Sequence, residues 1–237
     1  MQKFTIPLSE KNRARIMAQA ETWHKRRLDR SAPPPQASRF ITISRQFGCG
    51  VYPIAEAIAE KLSAAGKKPS PWAVYDKSLM QKISEDHNLS ADLVEALNEK
   101  RRSEFEDSLL GLLKGFTPEI KVYRSLVSTV RTIALHGNAI LVGRGGAILT
   151  RDLPGGVHIR VISPREMRVK FAAERMNIPE GEAAGFISRM DEERESFVRK
   201  YLNTDVADPL HYHAIFNLAK ASEREIVEAV TAMVKAS

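Results

Sequence analysis

The sequence predicts an α/β fold: a parallel sheet covered by helices on both faces, with a phosphate-binding turn after its first strand. Three observations predict it. Short apolar, β-branched segments alternate with helical ones from residue 39 onward, as in sheets buried on both faces. Arg39 to Leu62 reads as a strand, a glycine turn and an amphipathic helix, an order in which turn N–H groups and a helix N-terminus together make an anion site. Three strands end on polar or glycine-bearing pairs, Ser44-Arg45, Tyr75-Asp76 and Gly143-Arg144, where ligands bind in such sheets.

Ser9 to Arg30 has helical spacing, with Ile16, Ala20 and Trp23 on one face. Ser31 to Ser38 breaks it with three prolines, an extended linker. Residues 1–38 thus form a basic helical extension, and 39–237 a single domain. The extension is open to three readings: a helix packed on the body or on a second subunit, a basic contact for nucleic acid or lipid, or a tail. Within the domain, Trp72 to Tyr75 is a second strand and residues 77–137 are almost entirely helix-like, with Ser90-Ala-Asp-Leu and Thr117-Pro-Glu opening two of the helices. Asn138 to Val142 and Val157 to Ile162 are further strands. Ser163-Pro-Arg-Glu166 predicts a capping box with proline at the first helical position. A charged helix over 182–202, a last strand over His213 to Asn217 and a helix capped by Ser222-Glu-Arg-Glu225 complete the chain.

Hydrophobic residues at 43% and charged residues at 27% belong to a globular protein. No apolar run is long enough to span a membrane, and the first residues turn polar too soon for a secretory signal. Cys49 stands alone, which excludes an internal disulfide and a cysteine zinc site, and predicts a reducing, cytoplasmic setting. The net charge of +7 is uneven: residues 1–38 hold eight Lys/Arg against three Asp/Glu, leaving +2 for the other 199. A nearly neutral body argues against nucleic acid as the partner.

The glycine turn departs from a complete P-loop, G-x-x-x-x-G-K-[ST]. With the second glycine on Gly50, Arg45 replaces the first glycine, Val51 the lysine and Tyr52 the hydroxyl. The architecture is kept while its cation and its metal-binding hydroxyl are absent.

The order of motifs resembles a nucleoside monophosphate kinase, and specifically the cytidylate kinase-like family, over about residues 39–232. The resemblance is carried by Ile-Thr-Ile-Ser-Arg-Gln-Phe-Gly at 41–48, Tyr75-Asp-Lys77, Asn88 to Glu95, Leu141-Val-Gly-Arg-Gly145, the helix around Asp191, Arg194 and Arg199, and Asp208-Pro209 with Tyr212 and Phe216-Asn217. It implies a three-layer α/β/α P-loop kinase-like fold, with 77–137 as a helical acceptor-side insertion and 176–210 as a lid. It further implies ATP as co-substrate, Mg²⁺ held through the phosphates, and nucleotide substrates. By the same mapping Arg45, Gly48, Cys49, Gly50, Val51 and Tyr52 would surround the donor phosphates. Asp76 and Arg144 would face the acceptor, and Arg144, Arg194 and Arg199 would neutralise transferring charge. Planar guanidinium forks suit that task, because phosphoryl transfer asks mainly for alignment, charge neutralisation and exclusion of water.

Two departures stand against the family pattern. The family commonly has Gly-Ser-Gly-Gly-Arg where this chain has Gly48-Cys-Gly-Val-Tyr52, and cytidylate kinases place Asp where Gly145 stands. The runner-up function is therefore a nucleotide-binding protein without turnover, with a regulatory or partner-binding role. Single residues have bland readings too: Asp76 as a helix N-cap, Arg194 and Arg199 as part of a solvated helix face, Cys49 as a small buried filler. A homo-oligomer built through the extension is a further expectation.

Overall fold

The computed structural model describes residues 8–28, 39–65, 70–97, 99–114, 123–143 and 145–236. In chain order the elements are α1 (Glu10–Leu28), β1 (Phe40–Arg45), α2 (Val51–Ala65), β2 (Ala73–Tyr75), α3 (Lys77–Glu85), α4 (His87–Glu95), α5 (Glu99–Lys114), α6 (Arg124–His136), β3 (Ala139–Val142), α7 (Gly146–Leu149), β4 (Gly156–Ile162), α8 (Arg165–Met176), α9 (Glu180–Leu202), a 3₁₀ turn (Pro209–His211), β5 (Ala214–Asn217) and α10 (Glu223–Ala236). The strands form one sheet in the order β2-β3-β1-β4-β5, and every pairing is parallel.

The two-residue period of the strands divides their apolar runs between two layers. Ile41 and Ile43 of β1, with Ile140, Val142, Ile159 and Val161, pack against α2 and α10. Phe40, Tyr75 and Leu141 face the opposite layer, which includes Met80, Leu93, Val130, Val198 and Leu202 of the helices after β2 and of α9. The helical insertion is thus a layer of the main core.

The polar ends of α1 close the β2 edge of the sheet. The Asn12 amide donates to the Val74 carbonyl at 2.9 Å and accepts the Val74 N–H at 2.8 Å, so one side chain stands in for a missing neighbouring strand. Gln19 donates to the carbonyls of Pro71 (2.6 Å) and Asn138 (2.8 Å) and accepts from the Tyr75 hydroxyl. Trp23 stacks on His136 with ring centroids 4.6 Å apart. The surface this helix buries lies on β2 and on neighbouring helices of the same chain.

A second buried tie crosses the insertion. The Arg131 guanidinium, with no exposure, forks onto Asp152 at 2.7 and 2.9 Å and reaches the Leu149 carbonyl at 2.7 Å. Ser108 of α5 donates to the same carboxylate at 2.7 Å. Burial alone would raise the Asp152 carboxyl, but the Arg131 and Ser108 hydrogen bonds hold it below its usual range.

Three local expectations are corrected. Ser163 does not cap α8: its N–H donates to Gln46 and its carbonyl accepts from Arg168, so the helix starts after Pro164 without a side-chain cap. Ser90 does not open a helix, because its N–H already bonds the Asp86 carbonyl and α4 begins one turn earlier. The Trp72 N–H is taken by the Ser63 hydroxyl, which shortens β2 to three residues. The expected start at Thr117 lies outside the described residues. The Ser222–Glu225 capping box does form, at 2.8 and 3.3 Å.

Asn12→Leu leaves the Val74 N–H and carbonyl buried without partners, so it is expected to cost about 1–3 kcal/mol, read from urea unfolding; an unchanged midpoint would contradict the edge-closing role. His158, hydrogen bonded to Thr42 at 2.8 Å, has its pKa lowered to about 4 by burial and then by the His213 charge. The unfolded chain binds this proton near pH 6.5, so its contribution is complete above that pH and falls away as pH drops toward 4. The loss is expected to reach about 3 kcal/mol, and His158→Gln should flatten that part of the pH–stability curve.

Candidate functional site

A cavity of about 530 Å³ opens where the strand ends, the glycine turn and α9 meet. Its floor is the turn between β1 and α2. Gly48 has φ +82°, and a Cβ there would lie 2.8 Å from the Arg168 carbonyl oxygen, so only glycine lets α8 approach this closely. Among the described residues the N–H groups of Gly48, Cys49 and Gly50 donate to no protein acceptor. Together with the N-terminal turn of α2 they form a cluster of backbone donors at the cavity.

Asp191 and Arg168 hold the turn in place. Asp191 Oδ1 accepts the Phe47 N–H at 2.7 Å, and Oδ2 accepts from Arg168 Nη1, which also donates to the Phe47 carbonyl at 3.1 Å. Both main-chain groups of Phe47 are therefore tied to α8 and α9. Cys49 packs beneath, 5% exposed, with its thiol pushed up to about 11 mainly by burial; it stays a protonated filler at neutral pH.

Arg194 enters from α9. Its guanidinium carbon lies 5.0 Å from the centroid of the Phe47 ring, and its buried Nη1 has no hydrogen-bond partner. The nearest carboxylate oxygen, Asp191 Oδ1, is 3.8 Å away, beyond hydrogen-bond range. Burial, and next the adjacent Arg45 charge, bring the Arg194 pKa down to about 9, against the pull of Asp191. The group remains a cation at neutral pH, short of a counter-charge. Arg45 crosses toward the third strand: a Cβ on Gly143 would stand 2.0 Å from Arg45 Nη1. It lies beside the Tyr52 phenol, whose pKa burial raises while Arg45 opposes.

Of the residues singled out from sequence, Arg45, Gly48, Cys49, Gly50, Val51, Tyr52, Asp76 and Arg194 all line this cavity. Asp76 is 4% exposed and caps α3, accepting the Leu79 N–H at 2.8 Å, so its cap and cavity positions coexist. Arg199 is exposed and outside the lining; five residues beyond Arg194, it is rotated about 140° around the helix. Arg144 lies outside the described residues. Sequence reasoning missed Arg160, Arg168 and Phe171. A charge inside the apolar strand Val157–Ile162 was a readable signal for Arg160, since a buried cation demands partners; no comparable signal marks Arg168 or Phe171. Among the described residues no group of three or more His, Cys, Asp or Glu is placed to hold a metal, and no helix is long and apolar enough to cross a membrane.

The sequence matches the model of the cytidylate kinase-like family over residues 40–220. The chain belongs to that family. A structure of an uncharacterized protein from Eubacterium ventriosum ATCC 27560 shares its fold, with TM-score 0.65 and 18% identity over 84% of this chain and 99% of the other. Weaker likenesses are shikimate kinase from Bacteroides thetaiotaomicron (TM-score 0.45, 13% identity, 84% of this chain and 97% of the other) and APE1195 (0.45, 15%, 86% and 98%). No curated protein matches the sequence. The family and the parallel five-stranded architecture identify a three-layer α/β/α kinase-like nucleotide-binding fold.

Gly48→Ala introduces both a clash and a left-handed φ, and is expected to cost about 1–3 kcal/mol. Gly111→Ala, where a Cβ meets nothing within 4 Å, is expected to be neutral or stabilising. Thermal unfolding of the pair checks this; equal shifts would contradict the tight approach of α8.

Proposed function

We propose that the protein is an ATP-dependent phosphotransferase acting on a nucleoside monophosphate or a similar small phosphate acceptor. The observation that carries the reading is that, among the described residues, the buried Nη1 of Arg194 has no hydrogen-bond partner and stands beside the Gly48, Cys49 and Gly50 N–H groups, which donate to no protein acceptor. Donor and cation are complementary to phosphate, and a triphosphate bound there would relieve the repulsion between Arg45 and Arg194.

In this reading the turn N–H groups and the α2 N-terminus hold the donor phosphates, and Arg194 takes the place of the missing lysine. Arg45 supplies a second fork, and Phe47 and Phe171 help to keep water from the reacting oxygens. The orphaned Arg194 nitrogen and the Gly48 turn fit a triphosphate. Mg²⁺ held through the phosphates would supply charge neutralisation there, and Tyr52 stands where a complete P-loop has its metal-binding hydroxyl. Arg144 remains a proposed acceptor-side cation on sequence grounds. A buried Cys49 thiol fits a reducing, cytoplasmic setting.

One observation favours the runner-up, nucleotide binding without turnover. Val51, at the lysine position, is 2% exposed, and Tyr52 lies beside Arg45, drawing one cation away from the phosphates.

Purified protein with ATP, Mg²⁺ and a panel of nucleoside monophosphates is expected to form a diphosphate product, separated by ion exchange. Arg194→Met is expected to lower kcat roughly 10²–10³-fold with little change in melting temperature, and Arg194→Lys to restore part of it. ATP binding without product from any acceptor would move the assignment to the runner-up. An Arg194→Met enzyme as active as the parent would remove the donor-site assignment.

A further inference from the structure

Among the described residues three arginines are at most 7% exposed: Arg131 at 0%, Arg160 at 6% and Arg168 at 7%. Arg131 is paired with Asp152, and Arg168 with Asp191. Arg160 has no carboxylate partner among the described residues. Its Nη1 donates to the Ser44 hydroxyl at 3.1 Å and to the Val206 carbonyl at 2.9 Å, and the guanidinium carbon is 5.9 Å from the Tyr212 ring centroid. Neither Nη2 nor Nε bonds a described residue. A cation this deep, hydrogen bonded at one nitrogen to neutral groups only and lining a cavity, is complementary to an anion.

The position of Arg160 says which anion. Ser44 and Arg160 pair in register across β1 and β4. By strand alternation both point to the face opposite Ile43, Val161 and α2, which is the face of the helical insertion. Arg45 shares the parity of Ile43. Arg160 lines the same cavity as the glycine turn, with Ser44, Gly145, Tyr201 and Val206, but from the other side of the sheet. We propose that Arg160 forms a second anion subsite, which takes the phosphate or carboxylate of the acceptor while the glycine turn holds the donor. The assignment of the two occupants rests on the phosphotransfer reading; the subsite itself rests on the unbalanced buried charge. Tethering of Nη1 by Ser44 and Val206 leaves the remaining edge of the guanidinium oriented for a two-point contact.

The test reads the ¹⁵Nε resonance of Arg160 in the full chain, assigned by its loss in Arg160→Lys. With the donor site filled by Mg²⁺ and the imido analogue of ATP, inorganic phosphate and, separately, acetate are titrated. A saturable shift of the Arg160 signal with either anion is expected, and the preferred anion identifies the acceptor group as phosphate or carboxylate. Arg160→Gln, which can still hydrogen bond Ser44 or Val206, is expected to weaken that binding about 10- to 100-fold at a nearly unchanged unfolding midpoint. An Arg160 signal that ignores both anions, or moves equally with chloride, overturns the subsite. If the Arg194 signal meanwhile responds to the ATP analogue, the donor reading survives that failure. If Arg160 responds and Arg194 does not, the subsite stands and the donor reading falls.

Discussion

Asp191 joins three elements that have little else in common at this point of the fold. One oxygen accepts the Phe47 N–H at 2.7 Å and the other accepts from Arg168, so a carboxylate on α9 fixes both the glycine turn and the first turns of α8. Arg168 completes the tie by donating to the Phe47 and Ser163 carbonyls, each at 3.1 Å. Because a buried guanidinium without its carboxylate is strongly unfavourable, the turn geometry, the seating of α8 and the descent of α9 onto the cavity stand or fall together. The resemblance implied a lid over 176–210; in this structure α9 of that segment is already bonded to the turn it would cover.

Around that tie the cations divide into two kinds. Arg131 and Arg168 each pair with a carboxylate, Asp152 and Asp191, and they serve cohesion. Arg160, which is buried, and Arg194, which is half-buried, have no carboxylate within hydrogen-bond range among the described residues, and both line the cavity. A guanidinium held at a cavity without a carboxylate on it is complementary to an anion. Their place at the cavity is the mark on which the proposed anion sites rest. The mark is independent of the altered P-loop letters, which by themselves point only to what is missing.

Edge closure by α1 shows a different constraint. The β2 edge would expose the Val74 N–H and carbonyl, and Asn12 satisfies both with one amide. A segment separated from the domain by a proline-rich stretch thereby contributes Trp23 to the main core. Lys11, Arg13 and Lys25 lie on the exposed side of this packed helix.

Local periodicity determined a great deal: five strands, the helical stretch after β2, the glycine turn and the capping box of α10 are all written in residues a few positions apart. The glycines of the turn were legible for the same reason, since strand, turn and helix follow one another in sequence, whereas Arg194 of α9 was singled out only by the family resemblance. The tertiary structure alone decided which arginines keep a counter-charge. Arg194 and Arg199 are alike in sequence, yet helix rotation carries one into the cavity and the other to solvent. Arg160 and Arg168 acquire their character from Ser44, Val206, Phe47 and Asp191, all four distant in sequence from the arginine each one meets. Burial and pairing are properties of the assembled molecule, because desolvation and Coulomb energy depend on what surrounds a charge in space, and no spacing rule along the chain encodes that.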